Sequence, residues 1–491
     1  MCSWSALGGV LVAGVNAGGP PVMIWGWIGI SCVSLCVAYS MAEMCSEYPV
    51  AGGQYSWVYI LSPVSIRRQF SYITGWFMII GLLAMGATNS FIGANFILGQ
   101  ANLVNPAYEI QRWHTVLVAW SITLFAAFIN LWGSRVLDKI SKGALVFNVV
   151  SFIVTIATIL ACNKNKSSAS FVFKDFQNFT GFGTSMAGII GILQPAFGMC
   201  CYDAPAHMTE EIKDASKQAP RAMVLSVWLG AVTGFVFLVS VCFCIDDITS
   251  VAETSTLVPL IQIYFDSTQS HAAACVLASL IVVIDIAAAN AILAEGARSL
   301  FAFARDHGLP FSKLIGKVAT RHQVPVAAIV LGSVVEMAFI SIYFGTVTGF
   351  NTVIAIATEG FYLSYAMPLL VRLMAHFNGT HRQLTGAWAM KPAVSVAVNL
   401  IGVSYLLFAC ITFNFPSVYP VNSQNMNYTS AAIGVIMLIA LITWFTTARK
   451  HFSGPQMEME GVLGSSSPEP RASSSDEGIP NREKVKGDVK A

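Results

Sequence analysis

The sequence predicts an all-α polytopic membrane protein, and three observations carry the prediction. Hydrophobic residues make up 55% of the 491 and charged residues only 11%, against about 25% charged in soluble globular chains. The apolar residues are gathered into stretches long enough to cross a bilayer, whose hydrocarbon core of about 30 Å takes about 20 helical residues. One stretch, 185–203, meets Pro195, Gly198 and Pro205 within eleven residues and carries Asp203 with no Lys or Arg beside it. Proline removes a helix donor and glycine loosens the turn, so backbone groups come free at membrane depth, where they persist only lining a cavity or against protein. An interrupted helix of this kind is the usual place for a transported substrate.

The first apolar run, Trp4 to Val15, stops at Gly18-Gly19-Pro20. A dozen helical residues cover about 18 Å, too little to span. No Lys or Arg precedes Arg67, so the basic opening of a secretory signal is missing. A second span is expected over 21–42, delivering Glu43-Met44-x-x-x-Tyr48-Pro49-x-x-Gly52-Gly53-Gln54-Tyr55 to the next surface. Taken alone, that segment is an ordinary Pro/Gly turn. Further spans are expected near 72–99, 115–132, 143–161, 185–203, 222–244, 273–296, 324–343, 350–371, 393–413 and 430–447, twelve with the short first run.

With the loop after the second span in the cytosol, eighteen Lys and Arg fall inside, Arg135, Arg321 and Arg382 among them. Only Arg112, Lys164, Lys166 and Lys174 fall outside, and the tail holds the other five of the 27. This asymmetry sets the orientation. Of four Asn-x-Ser/Thr sequons, Asn165, Asn178 and Asn427 fall outside and Asn378 inside, so a glycoprotein is expected. From Gly454 the composition turns to Ser, Pro, Glu and Lys. The expected division is a transmembrane domain, 1–450, and a disordered cytosolic tail, 451–491. Either Ser473, Ser474 and Ser475 take phosphate and Lys484, Lys486 and Lys490 a modification that controls turnover, or the composition merely solvates the end.

Net charge is +2, which offers nothing to nucleic acid. The eleven cysteines follow no metal or disulfide spacing, and most are expected as small buried hydrophobes. There is no phosphate-binding Gly-rich loop with Lys-Ser/Thr, no His/Cys ligand cluster and no nucleophile elbow, so neither enzyme, metal nor cofactor is expected.

Four motifs carry a resemblance. They are the segment Glu43–Tyr55; Tyr202-Asp203-Ala204-x-Ala206-His207-Met208-x-Glu210-Glu211; Ala297-Arg298-Ser299-Leu300-Phe301-Ala302-Phe303-Ala304-Arg305-Asp306-His307-Gly308-Leu309-Pro310; and Tyr362-Leu363-Ser364-Tyr365-Ala366-x-Pro368. Together they resemble the fungal amino acid/choline permeases (4-aminobutyrate, choline and polyamine type), a branch of the amino acid-polyamine-organocation superfamily. Ala297 stands where that family has serine. The resemblance implies a 12-span fold of two inverted five-span repeats with broken spans 1 and 6. It also places Ser3-Trp4 just after the break in span 1, so the first span is expected to be truncated, with its missing half-helix encoded upstream. The implied activity is secondary transport of an amino acid or small amine, with protons, by rocking spans 1, 2, 6 and 7 against a scaffold. The alternative is a non-transporting, receptor-like or truncated inactive relative. An integral membrane location follows, the plasma membrane foremost and a vacuolar or other internal membrane second, with lipid as surroundings.

For substrate binding the expected residues are Ser3, Trp4, Phe197, Gly198, Tyr202 and Asp203. An acid at the bilayer centre costs about 2.5–3.5 kcal/mol, so each needs a reason. Asp203 either holds an amine or only bonds amides freed by the kink. Asp285 and Glu359 either titrate with transport or hydrogen-bond a neighbour, and His207 either couples protons or caps carbonyls. Glu295 is expected to pair locally with Arg298, and Glu336 to make a structural contact.

Overall fold

A computed structural model describes residues 3–132, 137–319, 324–346, 348–380 and 383–455. Arg135, Arg321, Arg382 and the tail beyond Pro455, with its serines and lysines, lie outside the described residues. The apolar runs fold as helices because, away from water, every backbone N–H and C=O must find its partner within the segment. α1 (Ser3–Gly9) and α2 (Leu11–Asn16) are set apart at Val10. β1 (Ala17–Gly18) leads into α3 (Gly19–Glu47), whose Pro20 and Pro21 occupy the first turn, where a missing N–H costs nothing. α4 (Gln54–Leu61) lies in the connection to α5 (Arg67–Val104). α6 (Arg112–Trp132), α7 (Leu137–Cys162) and α8 (Ala169–Phe173) precede β2 (Gln177–Asn178), which pairs antiparallel with β1, Ala17 opposite Asn178.

The next apolar stretch is divided into α9 (Thr184–Gly191), α10 (Leu193–Gly198) and α11 (Ala204–His207), with 199–203 irregular. There follow α12 (Ala215–Phe243), α13 (Ile248–Ala252), α14 (Pro259–Thr268), α15 (His271–Arg305) and α16 (Ser312–Ile315). The last four helices are α17 (Val326–Gly345), α18 (Gly349–Phe377), α19 (Pro392–Thr412) and α20 (Thr429–Thr443). Among the described residues ten helices are long and apolar enough to cross a membrane, α20 counting with the turns that carry it to His451. The remaining two of the twelve expected stretches, the first run and 185–203, are the ones the structure divides.

Two packed groups meet along a seam. α12 runs beside α3, with α1 and α10 against them; α5 is flanked by α15 and α18, with α6 and α17 beyond, while α4 lies on α5 and α18. In α5 and α18, 89% and 83% of the apolar window is buried, against 22% for α7, so these two form the centre and α7 faces outward. Their close crossing depends on glycine. A Cβ on Gly360 would stand 2.5 Å from the Gly81 nitrogen, and one on Gly81 2.7 Å from the Phe361 nitrogen, distances no side chain tolerates.

The cysteine expectation needs correction. Of the ten described cysteines only Cys45, Cys200, Cys242 and Cys244 are buried, while Cys32 and Cys162 are exposed. The reason is the solvent: on an outward face of a membrane helix a thiol meets lipid, an apolar surrounding that needs no protein cover. Of the sequons, Asn165 and Asn178 are exposed; the Asn178 amide donates to the Phe182 carbonyl at 2.6 Å, and that of Asn427 to the Phe413 and Phe415 carbonyls at 2.7 and 3.0 Å.

Candidate functional site

α10 ends at Gly198, and the chain recovers helix only at Ala204, where Pro205 stands in the first turn of α11. Between them Cys201 has a φ of +62°, a left-handed value that turns the chain. Asp203 ends this irregular segment with no accessible surface. It occupies the cap position of α11, yet its side chain accepts no backbone amide there.

Its donors come from three other directions. Gln54 Nε2 of α4 donates to Asp203 Oδ2 at 2.6 Å, and Tyr365 Oη of α18 donates to Oδ1 at 2.6 Å. His207 Nε2 lies 3.2 Å from Oδ2. An ionised carboxylate taken out of water costs several kcal/mol unless paired and hydrogen-bonded; here a cation-forming ring and two neutral donors meet it. His207 Nδ1 is in turn 3.2 Å from the Ala51 carbonyl. Gly53, at φ +55°, allows this approach, since a Cβ there would come within 2.7 Å of the imidazole.

The contacts continue toward the same end. Tyr55 Oη donates to Asp306 Oδ2 at 2.8 Å. Arg298 Nε pairs with Glu211 Oε1 at 3.1 Å and Arg305 Nη1 with Glu210 Oε1 at 3.8 Å. The expected Glu295–Arg298 pair is therefore corrected: the guanidinium reaches across to Glu211. Glu295 keeps a buried Oε1 without a partner. Deeper still, Arg372 Nη1 of α18 lies 2.5 Å from Glu43 Oε2 of α3, and Ser395 Oγ donates to the same oxygen at 3.0 Å.

The other expected residues are distributed as follows. Tyr202 is buried with its ring centroid 5.0 Å from that of Tyr365. Phe197 is buried, and Gly198 lies so close to α1 that a Cβ would meet Leu7 Cδ2 at 2.8 Å. Ser3 is buried with its hydroxyl unpartnered. Trp4 is buried and donates its indole N–H to Asn148 Oδ1 at 2.8 Å, between Phe152 and Phe237. Glu359, six residues before Tyr365 on α18, is about 9 Å up the helix and accepts from Asn414 Nδ2 at 2.9 Å. Asp285 is buried with Oδ2 unpartnered, and Glu336 presses its carboxyl against Gly86 with Oε1 unpartnered.

Gln54 and Tyr365 lie within the motifs, where nothing in their spacing marks them as partners of Asp203. They stand 149 and 162 residues from Asp203 in the chain. Tyr362, whose hydroxyl reaches the Ala196 carbonyl at 3.3 Å and Tyr405 Oη at 2.7 Å, had the same standing.

The pattern of the amino acid permease family matches residues 1–441. The chain belongs to the amino acid permease family. It is 60% identical to a Macrophomina phaseolina protein that is named an amino acid/polyamine transporter by assignment, over 88% of its own length and 95% of that protein's. It is 30% identical to a choline transporter of Saccharomyces cerevisiae, covering 92% of this chain and 79% of the relative. An Arabidopsis thaliana amino-acid permease is 28% identical over 90% and 88%. As a permease the chain is an integral membrane transporter and not an enzyme.

Proposed function

We propose that this permease is a secondary active transporter of an amino acid or small amine, such as 4-aminobutyrate, choline or a polyamine, driven by protons through alternating access. The α1, α3, α10 and α12 group would rock against the α5, α15 and α18 group, each drawing spans from both of two inverted repeats, spans 1–5 and 6–10. The relatives' names support the substrate class. Under the orientation from the charge count, the Asp203 end of the seam is the cytosolic one.

The carrying observation is the Asp203–His207 contact. His207 Nδ1 faces a carbonyl and Nε2 a carboxylate oxygen. A carbonyl can only accept. Both contacts are satisfied by imidazolium with carboxylate, or by neutral imidazole with a protonated carboxyl; either way one exchangeable proton sits between the two groups. Remove it, and the Nε2 lone pair faces a carboxylate oxygen. The contact turns repulsive, so proton release to the cytosol and parting of the two groups become one event. Acid outside drives the cycle inward, and uptake rises as external pH falls.

Asp203 already has donors on both oxygens, so we give it the coupling role, with His207, and Glu359 and Asp285 as further coupling candidates. Substrate binding is left to Ser3, Phe197, Gly198 and Tyr202 around the irregular 199–203 backbone, with Trp4 holding α1 in place. The test is uptake of labelled 4-aminobutyrate, putrescine and choline by cells expressing the chain between about pH 5 and 8. Accumulation that ignores both pH and a protonophore would refute proton coupling. Failure to accumulate any amino acid or amine refutes the substrate class.

A further inference from the structure

A cavity lies on the same seam at the opposite end from Asp203. Asn16, Ile190 and Leu193 line one wall, and Asn351, Thr352 and Phe413 the other. Thr180 and Val418 close it above. There the Tyr419 N–H donates to the Thr180 carbonyl at 2.7 Å, and the Phe182 and Tyr419 rings lie 5.6 Å apart. No Lys, Arg, Asp or Glu lines it.

Its polar side chains are mostly committed elsewhere. The Thr180 hydroxyl donates to Asn178 Oδ1 and that of Thr412 to the Ala409 carbonyl. Two buried oxygens of the lining lack a partner, Asn351 Oδ1 and Thr352 Oγ1, and Thr352 as a residue is 1% exposed. Other buried threonines show what Thr352 forgoes. Thr88 and Thr358 each give their hydroxyl hydrogen to the carbonyl four residues back at 2.8 Å. An unsatisfied buried oxygen costs about 1–3 kcal/mol, so this pair lowers its energy when a donor arrives.

The chemistry of the lining restricts the donor. An anion would find no cationic side chain here. A primary ammonium carries the N–H hydrogens that such an oxygen lacks, and Phe413 brings an aromatic ring to the lining. A quaternary ammonium has no N–H to give. We propose that this cavity is a waiting site for the primary ammonium of the transported substrate, with Asn351 and Thr352 as the residues that favour it over quaternary amines. The proposal rests on the reading of the chain as an amine or amino acid transporter, and adds where the incoming amine is first selected.

Thr352→Val keeps the shape and removes only the oxygen. With the full chain in cells, and uptake normalised to protein at the surface, T352V should raise the KM for 4-aminobutyrate or putrescine about tenfold or more, as expected for one lost hydrogen bond to a charge. The maximal rate should stay within about twofold, Thr352→Ser should restore the KM, and choline should be handled unchanged as substrate or competitor. Should T352V fail to reach the surface, Asn351→Ala gives the same readout. An unaltered KM for the primary amines, or an equal rise for choline, overturns the waiting site while leaving amine transport standing. If the wild-type chain accumulates neither the primary amines nor choline, the transport reading fails first and the waiting site falls with it.

Discussion

The two ends of the seam between the α3/α12 and α5/α18 groups are held by opposite means. At one end Glu43, Asp203, Glu210 and Glu211 meet Arg372, His207, Arg305 and Arg298, and the carboxylates of Glu43 and Asp203 are buried with donors on both oxygens. At the other end, walls of neutral side chains enclose two oxygens without donors. A buried charged contact resists parting until its charge state changes, whereas a neutral lid joined through one backbone hydrogen bond and one aromatic pair parts at a smaller cost, about 1–3 kcal/mol. The charged end is therefore suited to coupling, and the neutral end to admitting a ligand that completes it.

The largest expected effect comes from breaking the buried arginine–carboxylate pair. Arg372 and Glu43 side chains are 3% and 2% exposed, and removing one member strands the other charge at about 3–5 kcal/mol. Arg372→Met should strip most folded chain from the membrane, while Glu43→Leu added to it recovers a large part. Size-exclusion profiles of a tagged chain in detergent check this; an R372M profile equal to wild type would remove the pair from the list of contacts holding the seam.

Next is Asp203→Asn, which retains volume and most hydrogen bonding but cannot share a proton with His207. Folded amount should be close to wild type. Uptake should fall at least about tenfold, equal to about 1.4 kcal/mol, and what remains should lose its rise toward acid pH. A mutant that keeps a wild-type pH profile sinks the coupling role.

Smaller again is Gly53→Ala. At φ +55° and ψ −125° a side chain is strained by about 1–3 kcal/mol, and its Cβ would meet the imidazole. Uptake should drop several-fold with a shifted pH profile. If only the folded amount changes, Gly53 serves the turn and not the His207 contact.

How much of this was legible in the chain depends on what one dimension records. The helices were legible from apolar stretches because the bilayer forces each to satisfy its own backbone. The irregular backbone at 199–203 was signalled by Pro195, Gly198 and Pro205, and Asp203 by its isolation among apolar neighbours. Its partners were not. Gln54 and Tyr365 come from separate helices, and only the packing of α4 and α18 sets them beside it. Arg298 shows the same limit in reverse: spacing on α15 pointed to Glu295, but the nearer acid in space is Glu211, brought by the turn after α11. Asn351 and Thr352 carry no sequence signal, since an unpartnered hydroxyl reads like any helical threonine.

The smallest effect sharpens the comparison by separating charge from burial. The Arg298 and Glu211 side chains are 39% and 53% exposed, so water and salt screen their attraction and the pair is worth about 0–1 kcal/mol. If charge alone held this end of the seam, exchanging the partners as Arg298→Glu with Glu211→Arg would preserve it, and breaking the pair with Glu211→Gln would cost as much as breaking Asp203. If burial decides, E211Q should alter uptake by less than about fourfold, keep the pH profile, and differ from wild type less at 0.5 M salt than at low salt. A loss as deep as that of D203N would place the proton-sensitive contact at Glu211 instead, outside the buried cluster of Asp203, His207, Gln54 and Tyr365.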